Sequence, residues 1–356
     1  MPDENGRILT RIVGNESLKK RLAAGITAEV PEISHAYVIE GRDGIGKHTM
    51  ALNLAAALCC EHRTDRGSIV PCGTCASCRK IFAGISPDVI EVTKEDKASL
   101  GVDSIRFLRE DVYIFPNDLE RKIYIINDAD TMTVQAQNAF LLTLEEPPAY
   151  AMFFLLCTSA HELLSTVQSR APVLRMQPLT TDEVIRVVLD NVPGAETARR
   201  NDPEGFAELA ASAGGCAGRA IELLSAGGNA KKEAERILFL RKSASDLCRL
   251  CADRRKETEF MIRLLSDAGN TRDGAGELLE VFRTALRDLA VLKRDADGPV
   301  CFFTDREKAT DLSDAYSLRR LLTLCDLLSD ALEALERNMN VRLTLMKMIS
   351  SVKQTG

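Results

Sequence analysis

Two stretches of the sequence carry residues whose types and spacing can do chemistry. The first is GRDGIGKHTM, residues 41–50. Gly41, Gly46 and Lys47 fit a GxxxxGK frame, and Gly44 adds freedom to the turn. Glycines in such a frame let backbone N–H groups turn toward phosphates. The lysine adds a point charge, and the N-terminus of the following helix adds partial positive charge. A Ser or Thr after the lysine normally places its hydroxyl on Mg2+. Here that position holds His48, and Thr49 lies one step further, about 100° round the helix. Mg2+ takes oxygen ligands, so imidazole is a poor replacement.

A loop of this kind works with an acid at the end of a neighbouring strand. IYIINDAD, residues 123–130, supplies Asp128 and then Ala129. Alanine cannot polarise an attacking water, and Asp130 lies one residue beyond the position for that base. Phosphoryl transfer depends on positioning and charge. The missing hydroxyl and the missing base therefore point the same way. The loop is read as empty, or as holding ATP or ADP weakly, without hydrolysing it.

The second stretch is LCCEHRTDRGSIVPCGTCASCRKIF, residues 58–82. Cys72, Cys75 and Cys78 are spaced CxxCxxC, with Gly73 and Ser77 suited to the turns between them. Two-residue gaps let thiolates converge on one ion. A structural Zn2+ site needs four ligands. Cys59, Cys60 and His62 are the candidates for the fourth, and Cys60 is preferred because it ends the helix that follows the glycine loop. Four protein ligands leave no open position, so the zinc is structural. An insertion at about 59–80, too small for a core of its own, gains most from such a staple.

Composition narrows the rest. The chain has 356 residues, 45% hydrophobic and 28% charged, as expected of a folded protein of two or three domains. No apolar run reaches membrane-spanning length, and the N-terminus lacks an apolar signal core. The formal net charge is −6 and Trp is absent, so the chain is poorly suited to grip nucleic acid alone. Eleven cysteines, an odd number, argue for a reducing compartment, and the expected location is cytoplasmic. Cys248 and Cys251 form a CxxC within a helical pattern and are read as packing residues.

The elements alternate up to Met176. Strands are expected at 35–41, 88–92, 121–128, 151–158 and 172–176. Helices are expected at 48–60, 102–115, 133–148 and 162–170. The fold class is therefore α/β, a largely parallel sheet with helices on both faces. After that the pattern is helical. Thr180 followed by Glu183 is a capping-box signature. Three short helices are expected over 179–228, with a hinge at GGNA, residues 227–230. The remainder reads as an all-α domain ending in one long, leucine-rich amphipathic stretch, residues 317–352.

Several segments carry a family resemblance. HAYVIEGRDGIGK, CGTCASCRKIFAGISPDVIEV, RKIYIINDADTMTVQAQNAFLLTLEEPP, FFLLCTSAHELLSTVQSR and NMNVRL resemble the bacterial DNA polymerase III clamp loader. Within it they resemble the delta-prime type more than the ATP-hydrolysing gamma/tau type. The resemblance implies an AAA+ P-loop-like domain over 1–177 with the zinc insertion, a lid domain over 178–228, and a helical collar domain over 229–356 that serves oligomerisation. It implies a place in the polymerase III holoenzyme beside gamma/tau and delta subunits, with the sliding clamp and primed DNA reached through the assembly and no membrane contact.

The family's Ser-Arg-Cys motif corresponds here to Ser169, Arg170 and Ala171, with the cysteine absent. The resemblance makes Arg170 an arginine finger for a neighbouring subunit's ATP. It places Thr158 at the sensor-1 position and Arg219 near the sensor-2 region. Two alternatives stay open. One is a true gamma/tau-type ATPase. The other is a zinc-stapled P-loop interaction module outside replication.

Overall fold

The structure is a computed structural model and describes residues 9–27, 33–65, 69–94, 99–225, 228–269 and 271–354. The expected GGNA hinge falls partly on residues 226–227, outside the described residues. The chain divides into two compact units. One comprises residues 1–183 with 216–219, and the other 184–215 with 220–356.

The first unit is built on five strands: β1 (Ala36–Glu40), β2 (Val89–Val92), β3 (Lys122–Ile126), β4 (Ala151–Cys157) and β5 (Val173–Arg175). All pairings are parallel, in the order β2-β3-β4-β1-β5. Its helices are α1 (Glu16–Thr27), α2 (Lys47–Leu58), α3 (Ala76–Phe82), α4 (Val102–Asp111), α5 (Val134–Glu145) and α6 (Ser165–Gln168). The central strands are apolar at nearly every position because helices cover both faces. Ile39, Ile123, Ile125, Met152, Phe154 and Leu156 join the core shared with α2 and α3. The alternating residues Val38, Tyr124, Ile126, Phe153 and Leu155 join the core shared with α4 and α5. The α/β fold read from the sequence, a parallel sheet with helices on both faces, is thus the fold observed.

A buried acid shapes one edge of this sheet. Asp88 is fully buried before β2 and accepts backbone N–H bonds from Asn117 (2.6 Å), Asp118 (2.6 Å) and Leu119 (2.8 Å). Asp88→Ala orphans three donors and is expected to cost on the order of 3 kcal/mol or more. Asp88→Asn, which keeps an acceptor, should cost less. Denaturant titration of both variants checks this, and an unchanged midpoint for Asp88→Ala refutes it.

The sequence-level boundaries shift in two places. The helix expected over 102–115 stops at Asp111, leaving Tyr113, Ile114 and Phe115 exposed. The helix expected over 162–170 shortens to α6. The capping box forms as expected: Thr180 Oγ1 accepts from the Glu183 N–H (3.3 Å), and Glu183 Oε2 accepts from the Thr180 N–H (2.8 Å).

The remaining helices are α7 (Thr181–Asn191), α8 (Ala195–Asn201), α9 (Pro203–Ser212), α10 (Ala217–Leu224), α11 (Gly228–Ala252), α12 (Glu257–Ala268), α13 (Arg272–Arg294), α14 (Arg306–Asp314), α15 (Leu318–Glu336) and α16 (Val341–Gln354). Over 179–228 there is one helix more than the three expected. It is α8, AETARRN, which opens after Gly194 at φ 82 and has no apolar periodicity to announce it. The long C-terminal stretch is two helices. Asn338 takes φ 63, and the Asn340 side chain caps α16 by accepting from the Leu343 N–H (3.1 Å). In the second unit, leucines of α13 and α15 pack with Leu345, Met348 and Ile349 of α16 in one core.

Candidate functional site

The glycine loop has the form its sequence demands. It leaves β1 at Gly41, whose N–H donates to the Cys157 carbonyl of β4 (3.1 Å), and ends at Gly46, the N-cap of α2. Gly44 and Gly46 take φ 74 and 101, in the left-handed region that costs glycine least. Gly44 also meets the start of α10. Its carbonyl accepts from the Gly218 N–H (2.7 Å), and a Cβ on Gly44 would lie 3.1 Å from the Arg219 nitrogen. The backbone of exposed Arg219 is therefore held against the loop.

Lys47 turns back over the loop. Its ammonium donates to the Gly41 carbonyl (2.7 Å), the Arg42 carbonyl (3.3 Å) and Asp43 Oδ1 (3.1 Å). His48 reaches across to β2, with Nε2 2.9 Å from Glu91 Oε1. The other Glu91 oxygen accepts from Asn127 Nδ2 (3.3 Å). The side chain in place of a metal-binding hydroxyl is thus engaged with an acid on a different strand. Thr49 is exposed, and its carbonyl serves Asn53 (2.8 Å).

The acids after β3 have separate employments. Asp128, at φ 49, pairs with Lys94 (3.1 Å). Ala129 is fully buried. Asp130 Oδ2 accepts from both the N–H (2.7 Å) and the hydroxyl of Thr158. Burial pushes Asp130 up, but the Thr158 bonds and further backbone N–H groups outweigh it and hold the carboxyl below its usual value. Thr158 is therefore tied to Asp130. Glu40, just before the loop, accepts from the Ala160 N–H (3.0 Å) and Arg175 Nε (2.7 Å). Its pKa is also lowered. Burial raises it, and these bonds more than reverse that.

Arg170 lies after α6. Its NH2 donates to Glu145 Oε1 (2.7 Å), and its NH1 donates to the Thr166 carbonyl (3.0 Å) and to Ser169 Oγ (3.4 Å). Ala171 follows, fully buried in the core against α5. That environment suits a small apolar side chain.

The four-cysteine cluster forms apart from these groups. Sγ atoms of Cys60, Cys72, Cys75 and Cys78 all lie within 4.8 Å of one another, with Cys72 and Cys78 4.0 Å apart. Tetrahedral Zn–S bonds of about 2.3 Å give sulfur separations of about 3.8 Å, so the donor set fits zinc. Backbone N–H groups aim at the sulfurs: Thr74 (3.4 Å) and Cys75 (3.3 Å) at Cys72, and Cys78 (3.4 Å) at Cys75. Gly73 takes φ 73 in the turn between them. Burial pushes the Cys72 thiol up, yet hydrogen bonds from Thr74 and Cys75 bring it down to about 6. Cys59 stands outside the cluster; burial pushes its thiol up to about 12. His62 is also outside, paired with Asp65 (2.9 Å). Of the three candidates for the fourth ligand, Cys60 joins the set.

Sequence reasoning missed the partners. Glu91 was legible as a lone charge inside the apolar strand VIEV. Glu145 was legible as part of LEEPP. Lys94 carried no signal.

Residues 14–180 match the family model described as DNA polymerase III, delta subunit. The DNA polymerase III subunit tau of Bacillus subtilis is 34% identical over 203 residues, covering 57% of this chain and 34% of that one. The subunit delta' of the same organism is 36% identical over 151 residues, covering 42% of this chain and 44% of that one. The matched segments thus span less than half the length of these relatives. Among solved structures, a gamma subunit-related protein of DNA polymerase III from Thermotoga maritima is 21% identical, with 94% of this chain and 98% of that one covered and a TM-score of 0.36. No helix among the described residues is long and apolar enough to cross a membrane.

Proposed function

We propose, from the match of residues 14–180 to the DNA polymerase III delta-subunit family model, that this chain is a delta-prime-type subunit of a replicative clamp loader. One observation carries the reading. The phosphate-type loop keeps its lysine and glycines but has lost both the hydroxyl and the base. His48 is bound to Glu91, and a buried alanine follows Asp128.

Such a loop holds ATP or ADP, if at all, without hydrolysing it. Gly41, Gly44, Gly46, Lys47, His48, Thr49 and Asp128 would surround that nucleotide, with Thr158 in the sensor-1 role and Arg219 near the sensor-2 region. The chain instead lends Arg170, with Ser169 beside it, to a neighbour's ATP. An always-charged planar fork stabilises charge on transferring phosphate only when the interface closes. In this chain a lid over 178–228 and a helical collar over 229–356 follow the P-loop-like domain. Its partners are gamma/tau and delta subunits, and through them the sliding clamp and primed DNA. Zinc held by Cys60, Cys72, Cys75 and Cys78 is structural.

The 34% identity to a tau subunit supports a second reading, a gamma/tau-type ATPase. Reconstitution separates the two. The chain alone, with ATP and Mg2+, is expected to show no turnover above background, with Lys47→Ala the same. Added to gamma/tau-type and delta-type subunits with clamp and primed DNA, it is expected to assemble and raise their turnover. Hydrolysis by the chain alone that Lys47→Ala abolishes favours the ATPase reading. Failure to assemble favours a zinc-stapled module outside replication.

A further inference from the structure

We propose that Glu145 is a positioning residue for Arg170, bracing the guanidinium so that it is presented already oriented. This rests on the reading of Arg170 as a finger. A free arginine samples many rotamers, and its planar fork is useful only when pre-aligned. Here two elements hold it. Glu145, the last residue of α5, takes NH2 at 2.7 Å. Thr166 and Ser169 take NH1 at 3.0 and 3.4 Å.

A guanidinium carries five N–H groups. These contacts leave the Nε hydrogen and one NH2 hydrogen for another ligand. The Arg170 side chain remains 33% exposed. The guanidinium is therefore held through part of its donors and keeps others for a phosphate.

Magnitude decides between a brace and a lock. The Glu145 side chain is 47% exposed, and ion pairs this exposed shift an equilibrium by at most about fivefold. That is too little to withhold the arginine from a polyphosphate, but enough to bias its rotamer. The placement of Glu145 also breaks a local rule. A carboxylate at a helix C-terminus opposes the helix dipole, and Glu146 adds a second one. Pro147 and Pro148 follow at once and stop the helix, so the Glu145 carboxylate projects from a defined end rather than from a loose loop. A locally unfavourable charge on a fixed support is the mark of a positioning group.

The test measures, by single-turnover hydrolysis, the maximal rate (kcat) and half-saturating ATP (KM) at the adjoining site of the reconstituted assembly, with assembly followed by gel filtration. Glu145→Ala is expected to lower kcat about fivefold with KM unchanged. Glu145→Gln, whose amide oxygen can accept the same bond, is expected to recover most of it. In an Arg170→Ala background, Glu145→Ala should cause no further loss. Should Glu145→Ala fail to assemble, the near-isosteric Glu145→Met takes its place. Turnover equal to or above wild type in Glu145→Ala overturns the brace, as does an additional loss in the double variant. If Arg170→Ala matches wild type, the finger reading falls and takes the brace with it. If Arg170→Ala is inactive while Glu145→Ala is intact, only the brace is lost.

Discussion

Arg170→Ala is expected to cut ATP turnover at the adjoining site by on the order of a thousandfold while the assembly stays intact, because an arginine supplied in trans contributes at least that much to phosphoryl transfer. The variant should fold normally. Arg170 is partly exposed, and its pair with Glu145 is of the kind that contributes little to stability. Buried Ala171, not Arg170, occupies the core at this point. Arg170→Lys keeps the charge but loses the fork, so it should restore only a part. An assembly with several ATP sites will hide the effect in steady-state rates, since the unaffected sites keep turning over. Single-turnover hydrolysis at the adjoining site removes that ambiguity. Wild-type rates there for Arg170→Ala end the proposal that this chain donates a finger.

The expected loss is large for the same reason that the chain's own site is read as silent. Charge that develops during phosphoryl transfer must be met by groups already in place. In the chain's own loop two of those groups are missing: His48, bound to Glu91, stands in place of the hydroxyl, and buried Ala129 stands in place of the base. Asp130 is turned away to Thr158. Arg170 differs in keeping free N–H groups and an exposed edge.

The sheet was largely legible in the sequence, and the reason is burial on both faces. β4 is apolar throughout and β3 is apolar after its first residue, Lys122, and a glycine turn or a proline pair punctuates the neighbouring elements. The phosphate-type loop and the cysteine cluster were legible because their chemistry demands fixed spacings. What escaped was pairing between distant charges. Glu91 lies 43 residues from His48, and Glu145 lies 25 from Arg170. Periodicity speaks only for apolar faces, so nothing in it links two exposed side chains across a fold. α8 escaped for a related reason, being seven mostly polar residues with a glycine cap. The break at Asn338 escaped because the leucine pattern continues across it, while one left-handed residue is enough to end a helix.

Replacing one cluster cysteine is expected to have the other large effect. Wild-type chain should bind one Zn2+, and Cys60→Ser or Cys78→Ser should lose it, whereas Cys59→Ser should keep it. Structural zinc contributes about 10–16 kcal/mol of apparent binding free energy in small thiolate sites, so removal of one of four ligands cannot be absorbed quietly. Yet the loss should be local. Cys60, Val70, Cys75, Cys78 and Ile81 belong to the same apolar core as α2 and the sheet, so the insertion has some footing without metal. Far-UV circular dichroism should change little, while protease sensitivity should rise within residues 59–80. Cys59 serves as the internal control. It is adjacent in sequence and equally buried, but its thiol is pushed up to about 12 and stands outside the four sulfurs. Zinc content by elemental analysis, read beside proteolysis, decides the matter. Retention of zinc by Cys60→Ser together with its loss in Cys59→Ser would reverse the assignment. Absence of zinc from wild type purified under reducing conditions would remove the staple altogether and leave four thiols whose convergence serves packing alone.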